Sequence, residues 1–98
     1  MEQVDNQGML RLRLFGGLRE VKKARIEEES FPYSPGLTVG ELWGQLQGTA
    51  EPDWLLVRLS RDGVLALVNG TPIQRLVGWE TPLAVDDTVT FMVKAFGG

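Results

Sequence analysis

The residues whose types and spacing could do chemistry stand at the end of the sequence, Phe96-Gly97-Gly98. Gly97 and Gly98 carry no Cβ, so they can hold a carboxylate out on a segment that threads a narrow channel and adopts backbone angles closed to other residues. The rest of the chain is chemically sparse. With 0 Cys and 0 His, it has no thiolate nucleophile, no imidazole base and none of the usual ligands of transition metals. Glu27-Glu28-Glu29 alternate between the faces of any strand they form, which argues against one converging catalytic or metal site. Self-contained catalysis is therefore not expected, no metal site is assigned, and the reactive position is read as Gly98 with Gly97 beside it.

Positioning such a terminus requires a rigid element directly before it. Val89-Thr90-Phe91-Met92-Val93-Lys94-Ala95-Phe96 alternates as a strand, with Val89, Phe91 and Val93 facing a core and Thr90, Met92 and Lys94 facing out. Met92 and Phe96 then form an exposed apolar patch suited to docking a partner. The first strand, Leu10-Arg11-Leu12-Arg13-Leu14, has the same period. Its leucines point inward, and Arg11 and Arg13 point outward, where they can flank the patch and meet acidic groups. Gly16-Gly17 ends that strand. Ala24 to Phe31 reads as a second strand, whose glutamates suit an exposed edge. Arg19-Glu20 and Lys22-Lys23 between them read as a solvated charge cluster.

Leu37-Thr38-Val39-Gly40-Glu41-Leu42-Trp43-Gly44-Gln45-Leu46 is a helix start. Thr38 and Glu41 form a capping box, Leu37 staples onto Leu42, and Val39, Leu42, Trp43 and Leu46 share one face. Gly48 is placed to end the helix. Gly40 and Gly44 weaken it by about 1 kcal/mol each relative to Ala, which predicts close approach to a sheet. Within Thr49 to Asp62, either Pro52 opens a short second helix carrying Trp54, Leu55 and Leu59, the favoured reading, or Leu55 to Leu59 is extended. Val64 to Val68 reads as a buried strand with Asn69-Gly70 as the reversal after it. Thr71 to Val85 reads as a connection anchored by Trp79, and Asp86-Asp87 as a turn. Trp43, Trp54 and Trp79 are read as core or rim residues.

At 98 residues, 43% hydrophobic and 23% charged, the chain fits one globular domain. Its apolar runs are far shorter than the roughly 20 residues that span a bilayer. The polar, acidic residues 1–8 lack the features of a secretory signal, so a cytoplasmic protein with a flexible N-terminal arm is expected. A net charge of −3 argues against a nucleic-acid surface and favours a basic partner. Strands before and after a helix imply an α+β layer, a mixed sheet of four to five strands with one main helix packed across one face, its first and last strands paired in the middle.

Four segments, in this order, resemble the MoaD/ThiS family of ubiquitin-like sulfur carriers. They are Leu14-Phe15-Gly16-Gly17-Leu18-Arg19-Glu20, Thr38-Val39-Gly40-Glu41-Leu42, Leu67-Val68-Asn69-Gly70, and Thr81 to Val89 before the last strand and Gly-Gly. The sequence departs from the family pattern in Asp87, read as replacing a turn glycine, in Phe96, where a small residue is common, and in a longer arm and middle. The resemblance implies a β-grasp domain over residues 9–96 with a flexible diglycine tail at 97–98. It further implies that an adenylating enzyme of the MoeB/ThiF type, using its own ATP and Mg, activates Gly98, which sulfur transfer converts to a thiocarboxylate. The chain itself would bind no cofactor and would not be an enzyme alone. The Leu-Arg-Glu segment is closest to the small subunit of molybdopterin synthase, whose large subunit is then a second partner. Thiamine or cysteine biosynthesis and ubiquitin-like protein modification are the alternatives.

Overall fold

The computed structural model describes residues 8–20 and 25–94. β1 (Met9–Phe15) follows its alternation: Leu10, Leu12 and Leu14 are fully buried, and Arg11 and Arg13 are exposed. Each buried leucine contributes about 1.5–3 kcal/mol relative to exposure. A tight turn at Gly16–Leu18 follows. The described part of the second strand, β2 (Ile26–Pro32), runs antiparallel to β1; Ala24, where the sequence reading begins it, lies outside the described residues. Its glutamates do sit on a sheet edge.

α1 (Val39–Thr49) starts as its sequence requires. Thr38 N–H donates to Glu41 Oε1 at 3.1 Å, and Glu41 N–H donates to Thr38 Oγ1 at 3.2 Å. Val39, Leu42, Trp43 and Leu46 are buried in one cluster with the β1 leucines, and Leu37 joins them. Gly48 does not end the helix, which continues to Thr49 and is capped by Ala50 in an extended conformation. The two helix glycines differ. A Cβ on Gly40 would lie 2.7 Å from Arg61 Nη2 and 3.0 Å from the Trp79 carbonyl, so the close approach is to a loop and not to the sheet. A Cβ on Gly44 would meet nothing within 4 Å.

The middle segment forms a short helix, α2 (Leu55–Arg58), with Leu56 buried; it starts at Leu55 and not at Pro52, and Trp54 and Leu59 flank it in extended conformations. Gln47 of α1 ties it down by donating from Nε2 to the carbonyls of Leu56 and Leu59 at 3.2 and 2.9 Å. β3 (Val64–Val68) is not buried on both faces: Val64, Ala66 and Val68 face the core, while Leu65 and Leu67 are half-buried on the other side. Asn69 and Gly70 take positive φ of 52 and 86°, the left-handed pair of a tight reversal, and lead into the two-residue strand β4 (Thr71–Pro72), which the reading of 71–85 as connection omits. Trp79 anchors the rest of that connection, its ring 6.5 Å from both Trp43 and Phe91.

β5 (Thr88–Val93) pairs parallel with β1 and antiparallel with β3, giving the order β2-β1-β5-β3-β4. Val89 and Phe91 are fully buried beneath α1, and Phe91 lies 5.0 Å from Trp43. In the turn before β5 the left-handed residue is Asp86, φ 70°, so the position suited to glycine is Asp86 and not Asp87. This is a mixed five-stranded α+β sheet under one main helix, the ubiquitin-like β-grasp fold.

Candidate functional site

The face of the sheet turned away from α1 is where the expected site residues meet. Because β5 is central, its outward side chains are flanked on both sides. Thr90 stands opposite Arg13 on β1 and opposite Leu67 on β3, and Met92 stands opposite Leu65. Thr90 faces outward as expected, yet its neighbours cover it to 8% exposure. Together Arg13, Ile26, Leu67, Thr90 and Met92 line a groove of about 500 Å³ that reaches Asn69, Gly70 and Thr88 at one end. The walls mix apolar side chains, Ile26, Leu67 and Met92, with the polar Asn69, Thr88 and Thr90 and one cation, Arg13. Such a surface fits a partner's apolar side chain beside an acidic group.

Of the residues the sequence assigns to docking, Met92 and Arg13 share this groove. Arg11 does not line it: it lines a separate shallow depression with Glu28, Glu29 and Ser30 at the β2 side of the sheet. Phe96, Gly97 and Gly98 lie outside the described residues. The chain leaves the sheet close to the groove, since Lys94, two residues beyond Met92, is the last described residue and its N–H donates to the Gly63 carbonyl at 2.9 Å. Sequence reasoning missed Ile26 and Leu67. The signal for Leu67 was available, because a five-residue apolar strand still alternates, and every second residue of Val64–Val68 must face away from the helix.

Arg19 is not merely a solvated charge. Its Nη2 donates to both carboxylate oxygens of Glu29 at 3.0 Å, its Nη1 lies 3.7 Å from Glu27 Oε1, and its guanidinium sits 5.4 Å from the Trp54 ring centre. Glu27 and Glu29 therefore do converge, on an arginine, while Glu28 points to the opposite face as alternation demands. Among the described residues, no group of Asp, Glu, His or Cys comes together that could hold a metal ion. None of their helices is long and apolar enough to cross a membrane.

The ThiS family model matches residues 12–98. The chain belongs to the ThiS family. Its solved structural neighbours are consistent with that. The solution structure of the HVO 2177 protein of Haloferax volcanii is 28% identical with a TM-score of 0.74, the match covering 100% of this chain and 94% of that one. Urm1 from Trypanosoma brucei is 18% identical with a TM-score of 0.64, covering 97% and 100% of the two chains. Small archaeal modifier protein 1 from Methanosarcina acetivorans is 20% identical with a TM-score of 0.61, covering 96% and 100%. The last two establish the fold. No curated protein matches this chain. The motif resemblance drawn from Leu14 to Val89 thus holds at the level of the ThiS family.

Proposed function

We propose that this chain is a sulfur carrier whose Gly98 carboxylate is adenylated by an activating enzyme and converted to a thiocarboxylate, which then donates sulfur in molybdopterin synthesis. The carboxylate attacks the α-phosphate of ATP and releases pyrophosphate, and hydrosulfide delivered by a partner then attacks the acyl carbon, displaces AMP and loses its proton to leave the thiocarboxylate. The partner supplies ATP, Mg and sulfur. This chain supplies the acyl end, with Gly97 leaving the approach to it unobstructed, and the open-face groove of Arg13 and Met92 as the surface on which the activating enzyme docks. The observation that carries this reading is the ThiS family match, which runs through the diglycine to residue 98. The Leu14 to Glu20 segment supports the molybdopterin branch, where a large synthase subunit would receive the tail.

A second reading, protein modification through an isopeptide bond from Gly98, draws support from the neighbours that are small archaeal modifier proteins. Intact mass spectrometry after incubation with a MoeB/ThiF-type enzyme, Mg-ATP and a sulfur source separates the two. A carrier gains the mass of one sulfur for one oxygen, lost when Gly98 is deleted. High-mass conjugates without that increment support the modifier, and neither product removes both readings.

A further inference from the structure

β2 is an edge strand, seven residues long with no bulge in its register against β1. Its backbone alternates between bonding β1 and facing outward. Gly16 N–H donates to the Arg25 carbonyl and Tyr33 N–H donates to the Gly8 carbonyl, so the odd-numbered residues from Arg25 to Tyr33 face β1. Ile26, Glu28 and Ser30 therefore turn their N–H and C=O groups away from the sheet, and among the described residues no backbone group is hydrogen-bonded to them. Pro32, the next outward position, has no N–H and closes the row. We propose that this free edge is a second interaction surface, which binds an extended, basic segment of another protein as a sixth strand.

Charge selects the occupant. Pairing with a second copy of this strand would set the Glu27-Glu28-Glu29 run against itself, which like charges oppose. A Lys or Arg opposite Glu28 instead continues the alternation already present across the sheet, where Arg13 stands opposite Glu28. Arg19 holds Glu29 at 3.0 Å on the helix side, which leaves Glu28 and Ser30 exposed beside the outward groups. The surface lies apart from the docking groove except at Ile26, and it does not depend on Gly98.

The test is titration of the full chain with a blocked peptide of alternating Val and Lys, followed by backbone amide NMR. On saturation, exchange of the Ile26, Glu28 and Ser30 amides is expected to slow by about tenfold or more, as amides newly hydrogen-bonded in a ladder do. Glu28→Pro, which removes an outward N–H and no bond to β1, is expected to lower affinity about tenfold. Should that variant fail to fold, a peptide N-methylated at alternate residues, tested on the unaltered protein, replaces it and is expected to bind as weakly. Absence of binding would leave the glutamates as guards of the edge and overturn the proposal. So would binding indifferent to backbone methylation, equal binding of the peptide with Glu in place of Lys, or shifts confined to Leu67 and Met92.

Discussion

Asn69, at the end of β3, donates from Nδ2 to Asp87 Oδ1 at 3.0 Å and so joins the two turns that flank the middle of the sheet. The same amide accepts from Thr88 N–H at 2.9 Å, and the other Asp87 oxygen accepts from Ala84 N–H at 2.8 Å. These bonds set the start of β5 against the end of β3, and Asn69 and Thr88 of this junction form one end of the open-face groove.

Asn69→Ala removes both side-chain bonds and leaves a Cβ-bearing residue at φ 52° without a local partner. A loss of about 1–3 kcal/mol is expected in urea unfolding. Asn69→Gly, which relieves the backbone but not the bonds, should lose less.

Asp86 sits at φ 70° while its N–H donates to the Met9 carbonyl at 2.9 Å, a bond that any residue keeps. Asp86→Gly should be at least as stable as the parent. Asp86→Ala should fall about 1 kcal/mol below the glycine variant, because alanine has neither the freedom of glycine nor a polar side chain to offset the left-handed conformation. Thermal unfolding of the pair checks this.

The two glycines of α1 should respond oppositely to alanine. Gly44→Ala meets nothing and gains helix propensity, raising stability by about 0.5–1 kcal/mol. Gly40→Ala should gain none of this, since its Cβ displaces the Arg61 guanidinium from its place 5.1 Å from the Trp79 ring centre and crowds the Trp79 carbonyl. Urea denaturation of both variants decides it.

Arg19→Ala removes the two bonds from Nη2 to Glu29 and the cation over Trp54 and leaves two carboxylates side by side. With the side chain at 22% exposure, a loss of about 1–2 kcal/mol is expected in urea unfolding, together with a change in Trp54 fluorescence. Arg19→Lys keeps the charge but not the second nitrogen beside Glu27 or the planar group over Trp54, and should recover only part of the loss.

These relationships mark what the sequence could and could not convey. Local rules wrote β1, the capping box of α1 and the Asn69-Gly70 reversal plainly, because each depends on residues within a few positions of one another. The partners of Arg19, the neighbours of Gly40 and the separation of Arg11 from Met92 depend on how distant segments cross. Asp86 was misjudged by one position because two adjacent aspartates suit a turn equally well until the backbone shows which is left-handed. Leu65 and Leu67 were hidden inside a run whose uniform hydrophobicity masks its alternation. Gly97 and Gly98, the proposed reactive end, lie outside the described residues, so that reading rests on the sequence and the family match alone.

If the groove docks the activating enzyme, residues on it should govern the rate of tail activation while those beside it should not. Met92→Asp places a charge among Ile26, Leu67 and Thr90, and Arg13→Glu reverses the groove's one cation. Each is expected to lower the rate of ATP–pyrophosphate exchange with the activating enzyme by about tenfold or more at subsaturating carrier, as removal of a central interface contact does. Recovery at high carrier concentration would show that docking and not chemistry was lost. Arg11→Ala lies outside the groove and should leave the rate within about twofold of the parent, the ordinary range for a rim charge. Equal loss for Arg11 and Arg13 would shift the docking surface toward the β2 edge, and no loss for Met92→Asp in a folded protein would remove the groove from the interface.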